Sequence, residues 1–280
     1  MSGSRTARRD DVLTYVGLLL VLLFFGTPLL WILSLSLRDQ AEILATSLNP
    51  VPSQPTLDNY STILQSAQFP RFLFNSLLLS LGAAIGVMLV SIPAAYAFSR
   101  LDFRGRKSLL LGVLGLQMIS PLVVAFPLYR YFASLGLLDS MAAVGVVYVA
   151  ILMPLATWML KGFFDGIPKD LDDAARLDGA SRLMVVRRII LPVARSGLTA
   201  VFVLTAILAW GEFVIPYILL TSPSALPISV GILNFQGTYV ANATGILAAG
   251  GMIAILPAIL VFVVLQRFIV GAFLGGALKG

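Results

Sequence analysis

Apolar and polar positions alternate along this chain in long blocks, not in the short periods of a water-soluble fold. Six apolar runs, residues 12–37, 72–99, 108–129, 140–160, 196–220 and 243–266, are separated by polar connections. Run 196–220 carries one charged side chain, Glu212, and the other five carry none. At about 20 residues per bilayer crossing, each run is long enough for one transmembrane helix, tilted where it is longer. The pattern predicts an all-α, polytopic membrane protein: a polar head over 1–11, a six-span domain over 12–268 and a tail over 269–280. The first run follows a basic head but exceeds the ~7–15 apolar residues of a cleaved leader, so it is expected to remain as an anchor. Pro121 and Pro127 interrupt the third run and Pro154 the fourth. Such breaks survive in hydrocarbon only where neighbouring protein or a watery cavity satisfies the freed carbonyls. Gly82 and Gly86 give the second run a small-x-x-x-small face for helix contact. Between the first two runs, Pro50, Pro52 and Pro55 mark a polar connection, with Thr56–Tyr60 turning into a short capped helix.

The longest charged passage lies in the connection 163–195, at Asp173–Pro192, DAARLDGASRLMVVRRIILP. Leu171, Ala174 and Ala175 recur at helical spacing, with Asp170, Asp172, Asp173 and Arg176 on the remaining positions. A short amphipathic helix is therefore expected to run to about Leu177. Gly179, after Asp178, tolerates the positive φ that ends a helix, and Ser181 can cap a second helix that Pro192 is expected to terminate. The result is a compact helix-turn-helix whose Ala methyls let another protein's backbone come close.

Composition narrows the function classes. The chain is 59% hydrophobic and 11% charged, outside the range of soluble domains. It has no Cys and no His, which removes disulfides, thiolate chemistry, and the commonest metal ligand and general base. No Gly-Lys pair occurs, so the phosphate-cradling G-x-x-x-x-G-K-[ST] loop is missing and any ATP must be burned by a partner. The net charge of +6 does not point to nucleic acid, because the basic residues lie between apolar runs. Sixteen of the nineteen Lys and Arg fall in the head, the second connection, the 161–195 connection and the tail, against Arg38, Arg71 and Arg130 elsewhere. By the positive-inside rule both termini and the long loop are expected to be cytosolic.

The spacing D-A-A-x-x-D-G-A followed by I-x-L-P, at Asp173, Ala174, Ala175, Asp178, Gly179, Ala180, Ile189, Leu191 and Pro192, resembles the ATPase-coupling loop of the permease subunits of bacterial ABC importers. Asp173 stands where the family usually has Glu. Pro28–Arg38, the run PAAYAFSRLDFRGRK at 93–107, and the terminal QRFIV and GALKG are similar to the MalG-like permeases of carbohydrate importers, with Ala272, Phe273 and Leu274 departing from a usual G-L-T. The resemblance implies a type I ABC importer permease fold in a bacterial inner membrane. It implies a second, MalF-like permease, two ATP-binding subunits that hold ATP and Mg, and an extracytoplasmic solute-binding protein. It implies that this chain binds no cofactor or metal and catalyses nothing, and that the solute is a sugar or related polyol.

Glu212 is the acidic side chain outside the polar segments, in Trp210-Gly211-Glu212-Phe213, where the family often has W-N-E-F. Such a carboxylate should face protein or water instead of lipid. Two readings stand at this point. Glu212 with Trp210, and with Tyr217 and Gln117, lines the solute pathway or the permease interface; or its carboxylate is satisfied by backbone or by the partner permease. Asn75, Gln117, Ser120 and Tyr217 are also expected as hydrogen-bond partners between helices. The rival function, a self-sufficient secondary carrier, would need more intramembrane acids than this one.

Overall fold

Prolines, glycines and side-chain caps decide where the apolar runs break. The computed structural model describes residues 3–45, 49–235 and 243–277, with side chains over 14–45, 49–235 and 243–263. In chain order the helices are α1 (Gly3–Ser36), α2 (Gln40–Leu44), α3 (Asp58–Gln65), α4 (Phe69–Arg100), α5 (Arg106–Gly115), α6 (Pro121–Ser134) and α7 (Met141–Asp165). They continue as α8 (Asp170–Leu177), α9 (Arg182–Val185), α10 (Leu191–Val193), α11 (Arg195–Trp210), α12 (Val214–Leu219), α13 (Ile228–Gly231) and α14 (Ala243–Ala277). Four of these hold a stretch long and apolar enough to cross a membrane alone, with mean hydropathy of 2.1 to 2.6, and two bent pairs bring the number to as many as six.

The third run is not one straight span. α5 and a 3₁₀ turn at Leu116–Met118 meet α6 at 90°. Ser120 is extended and Pro121 opens α6, a position where its missing N–H leaves no helical bond unmade. Pro127, expected to interrupt the run, lies inside α6 without ending it. The fifth run is also broken: α11 stops at Trp210, Gly211–Phe213 is not helical, and α12 resumes at Val214. The backbone of 269–277, expected as part of the tail, continues α14. Lys279, the loop residues 236–242 and the side chains of Arg5, Arg8, Arg9, Gln266 and Arg267 lie outside the described residues.

The chain divides into two units, Met1–Phe69 with Ile232–Ile255, and Pro70–Gly231 with Leu256–Gly280. In the first, α1 presents apolar side chains all round, Leu22 at 69% and Phe24 at 75% exposure, a surface suited to lipid and not to water. Its C-terminal end is closed by α3. Asn59 Nδ2 donates to the Ser36 and Arg38 carbonyls at 3.0 and 2.8 Å, and the Ser36 and Tyr60 hydroxyls pair at 2.7 Å. These bonds use carbonyls that a helix end leaves without partners. Arg38 is buried, stacked over Trp31 at 5.7 Å and donating to Ser34 Oγ and the Asn49 carbonyl.

In the second unit, Val87 and Ala95 of α4, Ala156, Leu160 and Phe164 of α7, and Val201 of α11 form one buried cluster. Gly197 lets α11 approach α7: a Cβ there would stand 2.4 Å from the Phe163 ring. Of the small-residue pair in α4, Gly86 meets Val149 of α7, whereas Gly82 faces open space. Around Pro154 in α7, the carbonyls of Ile151 and Met153 accept from Gln117 Nε2 (2.5 Å) and Ser91 Oγ (3.3 Å). Asn75 Nδ2 donates to the carbonyls of Ser224 and Leu226, and Ser76 Oγ accepts from the Ile228 N–H, which ties the segment after α12 to α4.

Candidate coupling loop and broken fifth span

α8 begins with Asp170, Asp172 and Asp173 and ends with Arg176, each sign at the helix end whose dipole favours it. Its termination is set by Gly179, at φ +85°. The Ala180 N–H donates to the Ala175 carbonyl at 3.0 Å and the Gly179 N–H to the Arg176 carbonyl at 3.1 Å, the paired bonds of a Schellman close. Ser181 then caps α9, its Oγ accepting from the Met184 N–H at 3.3 Å.

Pro192 does not end the second helix. Val186–Ile190 forms a π turn in which the Leu191 N–H reaches the Val186 carbonyl, and Pro192 sits in the first turn of α10. In a straight α-helix the proline ring would meet the carbonyl four residues back, at Arg188. The wider turn relieves that clash, so helical backbone continues to Val193. The change of direction comes at Ala194, where the two helical segments meet at 83°.

The loop has two faces. Val185, Ile190 and Ala194 are buried in the cluster of α4, α7 and α11, with Ala175, Ala180 and Ile189 packed against it. Asp173, Ala174, Asp178, Gly179 and Pro192 are exposed, and Leu191 is half-buried. Sequence reasoning missed that Leu177, Leu183 and Met184 join this outer face, Leu177 at 89% exposure. The signal was available: apolar side chains at the polar turn of a charged connection. It also missed the inner anchorage, in which Arg100 Nε bonds Asp172 Oδ2 at 2.8 Å and Ser99 Oγ donates to Asp165 Oδ1 at 2.7 Å.

At the break in the fifth run, Glu212 Oε1 accepts from the Ile215 N–H at 3.1 Å, and the Glu212 carbonyl accepts from Ser229 Oγ at 2.8 Å. The carboxylate thus serves an N–H that the first turn of α12 leaves without a helical partner, a role whose sequence sign is an acid just after a helix-ending glycine. Phe213 and Tyr217 stack with ring centroids 5.1 Å apart, Tyr217 being 58% exposed. Trp210 is half-buried at the end of α11. Gln117 gives its amide to α7, and among the described residues no hydrogen bond joins Gln117, Glu212 and Tyr217 to one another. Among the described residues, too, no group of three or more acids could hold a metal ion.

Residues 88–273 match the family described as "Binding-protein-dependent transport system inner membrane component". The chain is 32% identical to the trehalose/maltose transport system permease protein MalG of Thermococcus litoralis, over 96% of this chain and 97% of that one. It is 34% identical to the trehalose transport system permease protein SugB of Mycobacterium tuberculosis, over 90% and 92%. Its fold is similar to that of a chain from a bacterial ABC transporter that imports alginate, with a TM-score of 0.77, 21% identity, and coverage of 94% and 97%. A chain whose described residues are helical and hold four to six segments long and apolar enough to cross a membrane, matched to these relatives over nearly its whole length, belongs to the binding-protein-dependent transport system inner membrane component family, as a multi-pass, non-catalytic permease subunit of an ABC importer.

Proposed function

We propose that this chain forms half of the translocation pathway for a sugar or related polyol and receives its driving force through the 163–195 loop. The observation that carries the reading is the loop's two-faced build. An inner half is set into the cluster of α4, α7 and α11, and an outer face of Leu177, Leu183, Met184, Ala174 and Gly179 stands exposed at a polar connection. Apolar side chains exposed on a charged loop outside the lipid-facing runs suit burial against another protein. Asp173, Asp178 and Arg176 supply charge at its edge. The partners are a second, MalF-like permease, two ATPase subunits that bind ATP and Mg, and an extracytoplasmic solute-binding protein. Both termini and the loop face the cytosol of a bacterial inner membrane, in keeping with the positive-inside bias. ATP binding closes the ATPases, closure moves the loop, and the spans rock so that a central cavity alternates sides. Trp210, Glu212, Tyr217 and Gln117 lie on that pathway or at the permease interface. Relatives named for trehalose and maltose support the solute class.

The test is Gly179→Leu in the complete complex. A branched side chain at φ +85° is strained, so the loop tip distorts while the membrane spans are untouched. The variant is expected to insert normally and to lose ATPase subunits on purification, or to hydrolyse ATP without uptake. Full retention of both ATPase subunits with wild-type ATP-driven uptake overturns the assignment.

A further inference from the structure

We propose that Arg100 and Asp172 form the strut through which displacement of the coupling helix α8 is delivered to α4, an inference that rests on the coupling role of the loop proposed above. Of the eight residues of α8, only Asp172 and Ala175 are not exposed. Ala175 offers one methyl. Asp172 is therefore the side chain by which α8 grips the spans. Its partner, Arg100, is the last residue of α4, and the two side chains are 8% and 6% exposed with Nε and Oδ2 2.8 Å apart.

The grip reaches three elements at once. Arg100 Nη2 donates to the Ile167 carbonyl at 2.9 Å, just after α7, and Nη1 to Ser99 Oγ at 3.4 Å. Ser99 in turn donates to Asp165, whose other oxygen pairs with Lys161 of α7. The network so joins the end of α4, the end of α7 and the start of α8.

Stability alone does not explain the pair. Asp172 Oδ1 is buried with no hydrogen-bond partner among the described residues. A half-satisfied buried ion pair is commonly no better than an apolar pair of the same volume. What it provides is direction: a short charged bond in a dry site is strong and cannot slide, whereas methyl contacts can. A push on α8 must carry α4 with it or break the bond.

The chain has no Cys, so spin labels can be placed without background from it. Labels at Asp102→Cys and Asp170→Cys, both exposed, bracket the strut in the full complex with partner subunits freed of Cys. On adding ATP and Mg to the otherwise wild-type complex, the distance between them is expected to stay unchanged. In the same complex carrying Asp172→Asn, ATP is expected to shift or split it by about 2 Å, the scale of helix shifts at interfaces. An ATP-dependent shift with the strut intact overturns the proposal, as does an unchanged distance in Asp172→Asn with both ATPase subunits still bound. If Asp172→Asn does not assemble, the unmodified-strut arm decides alone. Wild-type behaviour of Gly179→Leu would sink the coupling role itself; uncoupling by Gly179→Leu beside an inert Asp172→Asn would sink only the strut.

Discussion

An ionised side chain near the middle of a bilayer costs roughly 2.5–3.5 kcal/mol on insertion scales, and Glu212 sits where the helix itself is interrupted. One carboxylate oxygen takes the Ile215 N–H that the start of α12 leaves open. Gln keeps an oxygen for this bond and Ala does not. Glu212→Ala is thus expected to destabilise the solubilised complex by about 1 kcal/mol, the usual worth of a helix-start acceptor, and Glu212→Gln by much less, as read by thermal unfolding. Equal losses in the two variants would show that the charge, not the cap, holds the break. The residue type and its apolar surroundings were legible in the sequence, as was backbone satisfaction as one of two readings. Which N–H it meets was not, because the three-residue gap between α11 and α12 exists only once Ser229 and α12 are folded beside it.

At the scale of elements, the turn between α6 and α7 is fixed to the end of α12 by one residue. Asp139 adopts φ +59°, its N–H donates to the Leu219 carbonyl at 2.9 Å, and its carboxylate accepts from the N–H groups of Thr221 and Ser222 and from Thr221 Oγ1. The Ser222 and Thr221 amides favour the charged form and hold this carboxyl down to about 2. A folded-state value below the unfolded one, about 3.9, means that the latch contributes fully above about pH 4. The contribution is lost as pH falls through about 2. Asp139→Asn should lower stability by about 1 kcal/mol or less at pH 7, because the site is open to solvent. Its melting temperature and that of the wild type should converge as the solubilised protein is acidified from pH 5 to pH 2. A gap that stays constant over that range would exclude the latch. The loop at 163–195 teaches a related lesson. Gly179 and Ser181 marked its turn and cap, but Pro192 as a terminator did not hold, because a π turn widens the backbone ahead of the ring.

For the whole molecule, orientation is the property on which the proposed mechanism turns. If α8 and α9 face the cytosol, single Cys residues at Arg182 or Arg187, both exposed, should react with a membrane-impermeant maleimide only after the inner membrane is opened. Labelling in intact spheroplasts would place the loop outside, away from any ATP, and end the coupling model.

The apolar block pattern by itself determined that this is an all-helical membrane chain, since hydrocarbon leaves the backbone few ways to satisfy its polar groups. The fixed spacing of DAARLDGA and its I-x-L-P sequel pointed to the importer permeases. Only tertiary structure decided that the third run bends by 90° at Pro121, that the fifth is broken at Gly211–Phe213, and that Asp172 turns inward to Arg100 while Asp173 stays outside. These outcomes depend on which neighbour supplies a donor, a charge or a void, and residues 67 to 72 positions apart, such as Arg100 with Ile167 and Asp172, leave no local periodicity to read.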